Sequence, residues 1–129
     1  MTEAATGFTL LGGEQGVRAL VDRFYDLMDL EPGFAGLRRL HPDTLDGSRD
    51  KLHWFLCGWL GGPDLYQQRF GHPRLRARHL PYAIGIAERD QWLACMRQAL
   101  TETGVDAGLA DRLQTAFWGT ADWMRNKGG

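Results

Sequence analysis

The chain has 129 residues, with 15 lysines and arginines against 16 acidic residues and a formal net charge of −1. That length suits one domain spanning 1–129, and so balanced a charge supplies no global field to draw the chain to nucleic acid or to acidic membranes. Two cysteines, Cys57 and Cys95, do not make a disulfide framework, and no segment approaches the roughly 20 apolar residues of a membrane span, so a soluble cytoplasmic protein is expected.

Residues 1 to 13 close on Gly12-Gly13 and read as a frayed or loosely packed lead-in. From Glu14 to about Leu30 the pattern is helical: Val17, Leu20, Val21, Phe24, Leu27 and Met28 recur at offsets of three and four, with charged residues between them. Tyr25 shares that inward side and brings a hydroxyl that needs a partner, which in an ordinary core is a backbone carbonyl. Pro32-Gly33 ends the helix, Phe34 to Leu40 can form only a short helical turn, and His41-Pro42 forces an extended exit. Taken alone, His41 is a solvated loop histidine.

Asp46 or Ser48 can cap the next helix, whose apolar positions Leu52, Phe55, Leu56 and Trp59 repeat at three and four before Gly61-Gly62-Pro63 ends it. Ser48 is either that cap or a wall of a pocket. Leu80 to Ala87 reads as a connection. Glu88-Arg89-Asp90 then opens a helix with Trp92, Cys95, Met96 and Ala99 inward, and a last helix runs from about Asp106 with Leu109, Leu113, Ala116, Phe117, Thr120, Ala121 and Met124 in phase. No stretch alternates with period two, so the fold class is all-α.

Residues 69 to 81 concentrate the chemistry. Pro73 can open a helix at its first position and Pro81 cannot continue one, which brackets about two turns. Leu75 lies four residues before His79 and shares its face, with Arg74, Arg76 and Arg78 spread over the remainder. An apolar face ending in an imidazole beside guanidinium groups suits haem, which is apolar in its middle, takes a nitrogen ligand on its iron and carries carboxylates on one edge. The same residues also allow a surface histidine at a helix end, or a basic cluster for phosphate or nucleic acid.

Four helical patterns could form a plain bundle without a cofactor. Against that stands the stretch from Gly61 to Ala87, which carries little core pattern, and a compact domain rarely tolerates so long an irregular segment unless it covers something. Zinc is poorly supported, because His53 and Cys57 lack a second pair of ligands. The apolar helical surroundings of both cysteines argue against a thiol nucleophile, and no serine elbow or phosphate loop is present.

Gly12-Gly13, Arg23-Phe24-Tyr25, Trp59-Leu60-Gly61-Gly62-Pro63, the run from Gly71 to His79 and Glu88-Arg89-Asp90-Gln91-Trp92 together resemble the truncated haemoglobins of the second group, over nearly the full chain. The resemblance implies a shortened globin fold in which two antiparallel helix pairs sandwich a haem b. It implies His79 as the proximal iron ligand, Lys51 and Arg78 as partners of the haem propionates, and Leu75, Leu52, Phe55 and Ser48 as pocket walls. Tyr25 and Trp92 would donate hydrogen bonds to a bound diatomic ligand. His41 stands where most globins have phenylalanine, and the resemblance makes it a third donor of a hydrogen bond or a proton. The function implied is tight binding of dioxygen with slow release, a poor match to bulk oxygen transport. The alternative is a haem redox enzyme that consumes peroxide or nitric oxide with an unidentified reductase.

Overall fold

The computed structural model describes residues 6–128. Helices α1 (Gly7–Leu10), α2 (Gly13–Leu30), α3 (Ala35–Arg38), α4 (Asp46–Trp59), α5 (Leu65–Phe70), α6 (Leu75–His79), α7 (Ile86–Glu102) and α8 (Ala107–Trp123) follow in order, with a 3-10 turn at Pro32–Phe34 before α3. No strand occurs among the described residues. Four long helices make the frame: α2 packs on α4 and on α7, and α7 packs on α8.

The α2 stripe reads as expected. Val17, Leu20, Val21, Phe24, Leu27 and Met28 are all buried, and Leu56, Cys57, Cys95, Met96, Ala99 and Leu100 meet them from the facing helices. Removing that much apolar surface from water is the main stabilising term of the fold. Leu52, Phe55 and Trp92 pack against this core but stay only partly buried, so one side of the frame presents an incompletely covered apolar surface.

Several boundaries differ from expectation. The expected lead-in contains α1, where Thr6 and Thr9 cap each other reciprocally; residues 1 to 5 lie outside those described. Phe8 secures α1: its N–H donates to Leu60 O at 3.0 Å, and its ring lies so close to Gly62 that a Cβ there would sit 2.5 Å from it. The glycine of the α4 corner is therefore required by a neighbour distant in sequence. Neither Asp46 nor Ser48 caps α4, because its N-cap is Leu45, with no side-chain bond, and Asp46 is already helical. The stretch after Gly61 is less irregular than its pattern suggests, since α5 forms there and buries Tyr66. Ala116 is exposed rather than inward, because α8 turns Leu113 and Phe117 to the core and leaves Thr115 and Ala116 outside.

Helix α6 begins at Leu75, not at Pro73. Arg74 is its N-cap in the left-handed region, at φ 47°, with its N–H donated to His72 Nδ1 at 3.1 Å, so the chain turns sharply after the proline instead of starting a helix on it. Helix α7 starts at Ile86, before the acidic triplet, and Glu88 reaches back to accept the N–H of Gly85 at 2.8 Å. That bond satisfies a donor at the helix start which would otherwise lack an intrahelical partner.

Candidate functional site

His79 ends α6, half-buried, and its Nδ1 lies 2.6 Å from the carbonyl of Leu75 one turn earlier. A carbonyl only accepts, so Nδ1 carries the hydrogen and the neutral ring keeps Nε2 as a free lone pair. A metal-binding imidazole needs this state, and the backbone bond fixes both tautomer and ring direction. Leu75 also borders an open cleft of about 530 Å³ with Phe55, Trp59, Thr120 and Trp123, a cleft whose lining does not include His79, Tyr25, His41 or Trp92.

Distant parts of the chain hold α6 in place. Arg76 Nη1 donates to Trp123 O at 2.6 Å and to Arg125 O at 3.1 Å. Asn126 Nδ2 donates to His79 O at 3.3 Å and to Tyr82 O at 2.7 Å, while its Oδ1 accepts from Ile84 N at 3.0 Å. Asn126 clamps the loop that follows His79, a role that no pattern in the sequence signals, since its partners lie more than forty positions earlier.

Three residues gather on the side of α2. The Tyr25 and His41 rings stand edge to face with centroids 5.8 Å apart, and Phe24 bridges Tyr25, at 5.0 Å, to Trp92, at 5.2 Å. Tyr25 is 5% exposed, and burial raises its phenol well above the ordinary tyrosine range, so it stays protonated and a donor. Neither its hydroxyl nor the indole N–H of Trp92 meets a partner among the described residues. Neither is sealed in the core either: Gln114 Oε1 is the one enclosed side-chain atom left without a bond among those residues. Both polar hydrogens therefore face accessible space.

His41 departs from expectation in two ways. It is half-buried, not a solvated loop residue, and its Nδ1 lies 3.0 Å from the carbonyl of Leu37. By the same reasoning as for His79, the neutral ring presents Nε2 as an acceptor, and only the protonated ring donates from Nε2 as well, which bears on the donor role that the resemblance implies. Burial, the first cause, with Arg38 and His79 adding to it, pushes its pKa below the ordinary histidine value and favours the neutral form.

The remaining residues take peripheral places. Ser48 is half-buried near the start of α4, Lys51 is exposed one turn on, and Leu52 and Phe55 are partly buried along the same helix. Arg78 is exposed and donates Nε to Pro73 O at 2.8 Å. No pattern in the sequence marks Arg49, yet it pairs with Asp22 at 3.2 Å and Asp26 at 2.7 Å and lies 5.9 Å from the centre of the Tyr25 ring, bracing α4 on α2 over the tyrosine.

These features fit haem: a correctly tautomeric imidazole, two unpartnered donors and a partly covered apolar surface between long helices. An all-α frame with such a site is of the globin class. The model of the bacterial-like globin family matches residues 6–126. A group 2 truncated haemoglobin of Bacillus subtilis is 37% identical over 115 residues, which cover 89% of this chain and 85% of that protein. Among solved structures, the group II 2-on-2 haemoglobin of Agrobacterium tumefaciens is 44% identical at a TM-score of 0.92, covering 97% of each chain. The cold-adapted truncated haemoglobin of Pseudoalteromonas haloplanktis TAC125 is 41% identical at a TM-score of 0.92, covering 95% of this chain and 99% of that one. The chain belongs to the bacterial-like globins and, within them, to the group II truncated haemoglobins. Membership implies a haem with its iron.

Proposed function

We infer that this globin holds haem b through His79 Nε2 and binds dioxygen and other small diatomic ligands reversibly, releasing dioxygen slowly. The observation that carries the reading is the Nδ1–Leu75 bond of His79, which leaves a basic nitrogen free, in a site where Tyr25 and Trp92 keep unpartnered polar hydrogens. Haem iron, when bound, supplies the coordination position and the electron density that makes a bound dioxygen partly negative. Tyr25 and Trp92 donate hydrogen bonds to that charge, and the low-dielectric surroundings strengthen both bonds. Leu52, Phe55 and Leu75 supply apolar contact and exclude water, Ser48 lines the mouth near the start of α4, and Lys51 and Arg78 offer cations to the haem carboxylates.

A second reading, a haem redox enzyme acting on peroxide or nitric oxide with a separate reductase, is favoured by one observation. His41 presents an acceptor nitrogen beside Tyr25, and a neutral imidazole in that place can take a proton from hydrogen peroxide. Stopped-flow release of dioxygen, beside steady peroxide turnover measured against free haem, separates the two. A persistent oxygenated form with turnover no greater than free haem is expected of the gas binder. Sustained turnover above free haem assigns the enzyme.

A further inference from the structure

We propose that Gln91 is a positioning residue for His41, acting through Leu37, and that it holds His41 as a hydrogen-bond acceptor beside Tyr25. The proposal rests on the reading that His41 stands on the ligand side of the site.

Gln91 lies on α7 next to Trp92, and its Oε1 accepts the N–H of Leu37 at 2.9 Å. Leu37 is in the first turn of the four-residue helix α3, so that N–H has no intrahelical acceptor and, at 3% exposure of the residue, little access to water. The Gln91 amide lies flat on Gly36: a Cβ there would stand 3.0 Å from Nε2 and 3.1 Å from Oε1. A side chain at Gly36 would therefore press on the Gln91 amide and displace it by a few tenths of an ångström. The carbonyl of the same Leu37 accepts from Leu40 N at 3.1 Å and from His41 Nδ1 at 3.0 Å.

On the other flank Arg38 donates to Pro42 O and to Asp43 O, each at 2.8 Å, and to Asp29 at 3.0 Å. The backbone around His41 is braced from both sides, and its ring is fixed at Nδ1. Tyr25 has one phenolic proton and no partner for it among the described residues; its ring stands edge to face with that of His41 at 5.8 Å between centroids, so a lone pair held on His41 Nε2 would compete with a bound dioxygen for that proton. The Gln91–Leu37–His41 series therefore sets how much of the Tyr25 hydrogen bond reaches the ligand. With the series broken, the ring is free to turn and to adopt the tautomer that donates from Nε2.

The test is long-range proton–nitrogen NMR of the His41 ring in the haem-loaded, carbon monoxide form of the wild type and of Gln91→Glu, Gln91→Met and Gly36→Ala. In the wild type the ring should carry its hydrogen on Nδ1. Gln91→Glu keeps an acceptor oxygen in place and should keep that tautomer, whereas Gln91→Met removes the acceptor and Gly36→Ala crowds it away, and both should give a mixture. A wild-type tautomer retained in both of the latter variants, or lost in Gln91→Glu, overturns the proposal. Dioxygen release from His41→Phe supplies the sign: a lost acceptor leaves release unchanged or slower, whereas acceleration of about fivefold, expected for a lost donor of about 1 kcal/mol, contradicts the acceptor role. A carbon monoxide stretching frequency unmoved by His41→Phe would remove His41 from the ligand side while leaving the positioning series intact.

Discussion

The side-chain amide of Asn126 donates to the main-chain carbonyl of His79 at 3.3 Å, so the far end of the chain helps to fix the segment that carries the candidate iron ligand. Replacing Asn126 with alanine removes three hydrogen bonds and leaves the Ile84 N–H without its side-chain acceptor. We expect Asn126→Ala to lower stability by roughly 1–3 kcal/mol, read as a shift of the urea midpoint. Haem transfer to an apoprotein acceptor should quicken in the same variant. Wild-type values for both would mean that the clamp is ornamental.

Trp92 is the donor whose loss should be felt most cleanly, because it packs only partly against the core and its N–H meets no described partner. Trp92→Leu should accelerate dioxygen release by about fivefold to tenfold, the equivalent of one ordinary hydrogen bond. Stopped-flow displacement by carbon monoxide reads this directly, and an unchanged rate would defeat the donor role. Tyr25→Phe should act in the same direction, its phenol being held protonated by burial.

The α7–α8 pair has a pH-dependent fastening. Asp122 accepts from Arg89 Nη1 at 2.8 Å and from Arg125 Nε at 2.9 Å, and these bonds, that from Arg89 first, hold its carboxyl below the usual range. With the folded pKa depressed, the folded state binds fewer protons than the unfolded chain, and stability rises with pH through that window. The contribution is present above the unfolded aspartate value of about 3.9 and is lost as pH falls through the folded one. Urea midpoints of the wild type and Asp122→Asn should therefore differ near neutrality and converge in acid. A constant gap across the titration would assign the effect to packing.

How far the chain could be read before folding depends on the range of each interaction. The α2 stripe was legible because helical periodicity is local, and all six of its apolar positions are buried. The start of α8 near Asp106 was equally legible; that Asp106 caps it, accepting from Leu109 N at 3.0 Å, is seen only in the fold. His79 could be singled out because the apolar Leu75 lies one turn earlier and shares its face; the bond from its ring to the Leu75 carbonyl is a consequence of that same short helix. The Gln91–Leu37 and Asn126–His79 bonds join residues 54 and 47 positions apart, and nothing in either neighbourhood announces the other. The tautomer of His41 was illegible for the same reason. A histidine before a proline looks solvated until α3 and α7 meet and bury the carbonyl that claims its Nδ1. Pro73 permits a helix start that the left-handed turn at Arg74 delays to Leu75, and no local pattern distinguishes the two.

The measurement that bears most directly on the central claim is the visible spectrum of the purified protein in ferric, dithionite-reduced and oxygenated forms, beside His79→Ala. We expect the wild type to show a Soret band characteristic of histidine-ligated haem and an oxygenated form that persists, and the variant to lose or strongly alter that band. A variant whose spectra match the wild type in all three states would show that His79 does not hold the iron, and a wild type that takes up no haem would contradict the account as a whole.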